Sequence, residues 1–202
     1  MSYLLKFIIF NYKHCRTIEN QYISNQSFEK SPLPDKKFEN CSFTNCQFGN
    51  AKLSKIQFID CQFIDCDLSL ANLNLTAFKD VQFHTCKMLG LRFDHCSDFL
   101  FIVDFMNCQL DMSSFYEMKL SNMQFQDCSL KDVNFERTDL SDTVFDNCNL
   151  AQANFQQTNL YRTDFRTAFN YIIDPEENKI KKAKFSNVGL SGLLAQYELD
   201  IE

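Results

Sequence analysis

Ten cysteines in 202 residues are the side chains of this chain most able to do chemistry. A thiolate can ligate a metal, exchange a disulfide or act as a nucleophile, and each role needs a partner at a set spacing. His84 stands two residues before Cys86, and His95 stands beside Cys96. A zinc centre needs four converging ligands, and these pairs do not converge, because the pattern set out below sends His84 outward and Cys86 inward. The sequence contains no GxSxG elbow, HExxH helix, Walker loop or CxxC pair. The spacings of nucleophilic, metal-dependent and redox catalysis are therefore missing. Carboxylates are abundant, but they fall at outward turn positions, the place of a solvated face rather than of a general acid–base pair. The residues predict no catalytic site, no metal and no cofactor.

What positions these side chains is a repeat. Composition announces it: 22 Phe with no Trp, 4 Gly and 3 Pro, in a chain 45% hydrophobic and 23% charged. Average usage would give roughly 14 Gly and 10 Pro. So much Phe excludes disorder. So little Gly argues against a Rossmann or P-loop site, where glycines let the backbone meet phosphate. From Phe38 to Phe93 every fifth residue is Phe, Leu or Met, and a second run from Phe105 to Phe165 alternates Phe and Leu without exception. The residue two places before each centre is mostly small or apolar, as in Cys41, Cys46, Ala51 and Ile56, or Thr138, Thr143, Cys148 and Ala153. A helix buries residues at a period of 3.6 and a plain strand at a period of 2. A period of five fits a short extended piece with two inward side chains, the centre and the centre minus two, followed by a turn made by Asn or Asp. Coils of such pieces stack into a solenoid. Nine of the ten cysteines, all but Cys15, fall on the inner second position, where they are expected to be small buried hydrophobes. Stacked Cα atoms about 4.8 Å apart would lie within disulfide range, but the side chains project in parallel and the expected compartment, the cytoplasm, is reducing.

Ala71-Asn72-Leu73, Ala153-Asn154-Phe155, Cys148-Asn149-Leu150 and Thr138-Asp139-Leu140-Ser141 resemble the A(D/N)LXX unit of pentapeptide-repeat proteins, over at least residues 38–165. The resemblance implies an all-β fold, a right-handed quadrilateral β-helix with one pentapeptide per side and 20 residues per coil, closed by a short C-terminal helical cap. The chain shows that period independently, in Cys46, Cys66 and Cys86 and in Cys108, Cys128 and Cys148. Four sides also account for the Phe/Leu alternation, since opposite sides then carry the same residue type. A single domain over 1–202 is expected. Residues 18–37 form an imperfect first coil, in which Ile18, Ile23, Phe28 and Leu33 keep the frame but Arg16, Gln21, Gln26 and Lys36 occupy the inner second position. Residues 38–95 form the first repeat block, 96–104 a frame slip, 105–165 the second block, 166–184 an excursion around Asp174-Pro175-Glu176-Glu177-Asn178, and 185–202 the last coil and cap. The run Tyr3 to Phe10 reads as a strand or cap, and Ser191 as a helix N-cap.

Two surfaces stand out. At the slip, an inward Leu100 would turn Phe99 and Phe101 outward by strand alternation, offering an apolar patch to a partner; a bulge that packs its own apolar residues is the other reading. The second surface is charge. The chain is −6 overall with pI about 5.1, but residues 94–165 hold four basic and twelve acidic side chains. Asp104, Asp111, Glu117, Asp127, Asp132, Glu136, Asp142 and Asp146 are the candidate partner-binding acids. An acidic chain predicts no direct nucleic-acid contact, and without about 18 consecutive apolar residues no membrane span is expected. Resemblance to the quinolone-resistance (Qnr-type) members implies an acidic DNA mimic that binds a type II topoisomerase, DNA gyrase or topoisomerase IV. It further implies a homodimer formed through the C-terminal segment, here Leu193, Leu194 and Tyr197. A structural scaffold for another protein partner is the alternative.

Overall fold

The computed structural model describes residues 17–30, 33–97 and 101–200. Tyr3 to Phe10, Cys15, Arg16, Phe99 and Leu100 lie outside the described residues. Each five-residue unit buries two side chains and bends once. Cys61 and Phe63 face the core with no exposed surface, and Gln62 between them points out. Two residues past the centre the backbone turns left-handed, with φ of 51° at Asn40 and 53° at Asp65. Asn and Asp tolerate that region because their short side chains bond the local backbone. Leu70, Leu75 and Met112 hold the same corner without that help.

Four bends close a coil. The extended pieces are β1 (Thr17–Glu19), β2 (Tyr22–Ser24), β3 (Lys37–Glu39), β4 (Ser42–Thr44), β5 (Gln57–Ile59), β6 (Gln62–Ile64), β7 (Ala77–Lys79), β8 (Val81–His84), β9 (Val103–Met106), β10 (Gln124–Gln126) and β11 (Val144–Asp146). The first side is the sheet β1-β3-β5-β7 and the second is β2-β4-β6-β8-β9-β10-β11, all parallel. The third and fourth sides are stitched by single parallel bridges, such as Ser129↔Asn149 and Asn134↔Asn154. The molecule is a parallel β-solenoid of about six turns between Phe38 and Phe165, and each coil contacts only its neighbours.

On the second side eight phenylalanines stack face to face from Phe43 to Phe185, with ring centroids 4.8–5.5 Å apart. The fourth side carries a matching stack, Phe93, Phe115, Phe135 and Phe155, at 4.6–5.4 Å. Leu120, Leu140 and Leu160 fill the first side there, and Leu110, Leu130 and Leu150 the third. Opposite sides thus carry the same residue type in the second half. Each stacked or edge-on ring pair contributes about 0.5–1.5 kcal/mol beyond its burial.

The inner second position proves to be more than small or apolar filler. Thr76, Thr138, Thr143, Thr158 and Thr163 donate their hydroxyls to a carbonyl 23 residues earlier, at 2.7–2.9 Å. Cysteine thiols aim at the equivalent carbonyls at longer range, as Cys61 does toward Phe38 at 3.5 Å and Cys148 toward Phe125 at 3.4 Å. The position therefore selects a small donor that ties one coil to the coil beneath. Cys46, Cys66, Cys86, Cys108, Cys128 and Cys148 form one buried column. Burial pushes Cys61 up to about 12. Cys61, ionising so reluctantly, is a poor nucleophile and a poor metal ligand.

One coil is longer. Leu75 N–H still reaches the carbonyl of His95, 20 residues on, whereas β8 pairs with β9 at an offset of 22, Val81 opposite Val103. Two extra residues therefore enter between Cys96 and Val103. Of the two readings of the slip, Phe101 follows the bulge that packs its own apolar residues and not the outer patch: it is half buried, its ring edge-on to Phe78 at 6.4 Å and to Phe93 at 5.9 Å. Phe101 thus packs on Phe78 of the first side, where strict alternation would have turned it outward. Ile102 is the exposed residue instead, at 46%. At the far end, Phe185 stacks on Phe165 and the chain closes in α1 (Ser191–Leu194). Ser191 does not cap α1, a correction. A 3-10 turn over Val188–Leu190 delivers it with helical backbone, φ −56° and ψ −33°, whereas a cap residue needs extended backbone.

Candidate functional site

Among the described residues no group of three or more His, Cys, Asp or Glu is arranged to hold a metal, and no helix is long and apolar enough to cross a membrane. The candidate site is a surface. Many of its acids are where they are because the coil needs them at corners: Glu117, Asp127, Asp132 and Asp142 have φ of 58°, 52°, 55° and 59°. Asp104 and Asp146 project from β9 and β11 on the second side, Asp111 from the third side and Glu136 from the fourth.

The negative charge circles the rod unevenly. Arg137 meets Glu117 at 3.1 Å and Glu136 at 3.8 Å, and Arg162 meets Asp142 at 2.7 Å. These pairs neutralise the corners that flank the first side. The second and third sides retain Asp104, Asp111, Asp127, Asp132 and Asp146 with no ion pair among the described residues. Several of these are held in place by neutral donors. Asp111 accepts from the Ser129 hydroxyl at 2.6 Å and the Lys131 N–H at 3.0 Å, Asp127 from the Asn147 amide at 2.7 Å, and Asp146 from the Thr167 hydroxyl at 2.9 Å. Such bonds orient a carboxylate without cancelling it. Coils repeat every ~4.8 Å, inside a Debye length of ~8 Å, so these charges act as one field. Asp164 is different: the Arg166 guanidinium grips both its oxygens, with Lys184 at 3.5 Å, and holds its carboxyl below the usual range. Asp94 is held low by Arg92 against the opposing effect of burial. Which acids are cancelled was invisible in the sequence, because the cations lie about one coil away as often as beside them.

At the cap, Leu193 packs inward while Leu194 and Tyr197 are 36% and 50% exposed, beside Val188, Leu190 and Leu199. The predicted apolar face is thus split, with Leu193 serving the core. Tyr197 donates its hydroxyl to Glu176 at 3.0 Å, which raises the phenol above its ordinary value. Phe101 is turned into the core, so it does not join an outer patch.

The family model described as "Pentapeptide repeat region" matches residues 36–98 and 99–194. No curated protein matches this chain. Among solved structures, full-length QnrB1, a plasmid-mediated fluoroquinolone resistance protein, is 18% identical with a TM-score of 0.48, covering 91% of this chain and 100% of its own. HetL from the cyanobacterium Nostoc sp. strain PCC 7120, a pentapeptide repeat protein involved in heterocyst differentiation regulation, is 16% identical with a TM-score of 0.41. It covers 83% of this chain and 86% of its own.

Proposed function

The chain belongs to the pentapeptide-repeat family, and from that premise we propose that it is a non-catalytic binding rod, an acidic DNA mimic for a type II topoisomerase. The observation that carries this reading is the strip of five carboxylates on the second and third sides, none in an ion pair among the described residues and three of them, Asp111, Asp127 and Asp146, oriented by neutral donors. A groove built to hold phosphates offers positive potential over a long surface, and a rigid rod with fixed negative charge fits it and is steered to it. In the same reading the exposed Leu194 and Tyr197 join two copies at their caps, which doubles the length of the strip, and the complex forms in the cytoplasm. The scaffold alternative has lost its best anchor, since Phe101 packs inward.

The test is DNA supercoiling by gyrase, and decatenation by topoisomerase IV, with and without a fluoroquinolone. Micromolar protein should inhibit the enzyme or protect it from the drug, and the effect should fade as salt rises. Asp104→Lys combined with Asp132→Lys should abolish it while leaving the fold unchanged by circular dichroism, because both side chains are exposed. No effect of the wild-type protein on either enzyme sinks the proposal.

A further inference from the structure

The coil ladder stops early on the fourth side. One coil lower, Asn154 N–H bonds the carbonyl of Val133, while Phe135 and Arg137 donate N–H to the carbonyls of Asn154 and Gln156, all at 2.8–2.9 Å. The equivalent groups one step up are the carbonyl of Ala153 and the N–H groups of Phe155 and Gln157, and none has a partner among the described residues. Ala153 and Phe155 are themselves buried, at 7% and 3% exposure. Buried orphan backbone groups are rare, because each costs about as much as a lost hydrogen bond. The next turn of chain should have covered them. Instead Ile173 N–H is drawn to the carbonyl of Gly192 at 3.0 Å, and Asp174 to Glu177 leave as a turn closed by Asp174 accepting from Glu176 N–H at 2.8 Å. Between this turn, the open edge and the terminal helix lies a cavity of about 380 Å³, lined by Ala153, Phe155, Ile172, Ile173, Gly192 and Gln196. The bond from Tyr197 to Glu176 ties its two walls together.

We propose that this groove is a strand-addition site, which takes an extended basic peptide segment of a partner protein in parallel with residues 153–157. The ladder groups set the register: the peptide's carbonyls accept from Phe155 and Gln157, and one of its N–H groups donates to Ala153. Backbone pairing supplies the affinity of this mode and alternate side chains its specificity. An inward side chain meets the apolar floor of Phe155 and Ile173. The outward ones meet Asp174 and Glu177 at the rim, with Glu176 beside them in the same turn, and this charge selects lysine or arginine. The cavity has the volume of ordinary ligand sites, about 300–1,000 Å³. The proposal does not depend on the acidic strip, which runs along the second and third sides and meets the fourth only at the Asp132 corner.

Amide hydrogen exchange on the full chain tests it directly. In the protein alone, Phe155 and Gln157 should exchange at least about tenfold faster than Phe135 and Arg137, whose N–H groups are paired. A seven-residue peptide of alternating lysine and valine should slow both by at least about tenfold. The same peptide N-methylated at alternate backbone nitrogens, or with glutamate for lysine, should not. Glu176→Lys with Glu177→Lys should reverse the preference between the lysine and glutamate peptides. Protection of Phe155 and Gln157 in the protein alone overturns the proposal, since the edge is then already covered. So does a lysine peptide that gives no protection, or an N-methylated peptide that protects equally well.

Discussion

Thr143→Val separates two meanings of the inner second position by the sign of its effect. If the position only needs a small apolar filler, valine adds a buried methyl in place of a hydroxyl and stabilises by up to about 0.8 kcal/mol. Shape is no obstacle, because Val81 and Val103 occupy the same column in lower coils. If the position is a donor, the bond from Thr143 to the carbonyl of Leu120, 2.9 Å long and fully buried, is lost. Such a bond contributes about 1 kcal/mol net. The Leu120 carbonyl keeps the N–H of Met123 at 3.3 Å, so it is not stripped bare and the cost stays near that figure. We expect a loss of about 1 kcal/mol, or roughly 2–4 °C in Tm for a chain of this size. Thr138→Val, whose hydroxyl reaches Phe115 at 2.7 Å on another side, should repeat the result. Thr143→Ser, which keeps the donor, separates the methyl's contribution from the bond's. The assay is urea and thermal unfolding followed by circular dichroism. Equal or greater stability in both valine variants would refute the donor reading.

Two other perturbations follow from the geometry. Phe125→Ala removes a fully buried ring stacked at 5.5 Å on Phe105 and 5.1 Å on Phe145; it should cost about 3–5 kcal/mol, and a loss below about 1.5 kcal/mol in urea titration would mean that the stack is not continuous in solution. Asp164→Asn probes the Arg166 fork. The folded carboxyl lies below its ordinary value, so its contribution is present above an unfolded pKa of ~3.9 and is lost as pH falls through the lower folded value. Because Arg166 is largely exposed, the variant should be only about 1 kcal/mol less stable at pH 7. That gap should close near pH 2, and a gap that stays constant across the range contradicts the argument.

Much of the fold was legible because its rule is local. Phe at the centre, a small residue two before it and Asn or Asp two after it state the inward pair and the left-handed corner within a single unit. The regularity of the second block, Phe105 to Phe165, even announced which sides oppose which. Reading failed where a residue's role depends on the neighbouring coil. Threonine and cysteine look alike as small inner residues until the carbonyl beneath them is in view. At the slip the sequence left two readings open, an outer patch or a bulge packing its own apolar residues, and only the contacts of Phe101 with Phe78 and Phe93 chose the second. Ser191 carries a capping side chain, yet the turn before it arrives already helical.

The amino-acid sequence by itself determined the solenoid, its period, its phenylalanine core and its excess of acid, because each follows from side-chain size and backbone preference within five residues. Only the tertiary structure decided which acids remain charged toward solvent, as Arg137 and Arg162 cancel their partners one coil below while Asp104 and Asp132 stand alone. It alone also showed the open edge at Ala153, Phe155 and Gln157. Hydrogen bonds between coils join residues about twenty apart, and whether a next strand arrives to complete them is settled by where the chain turns.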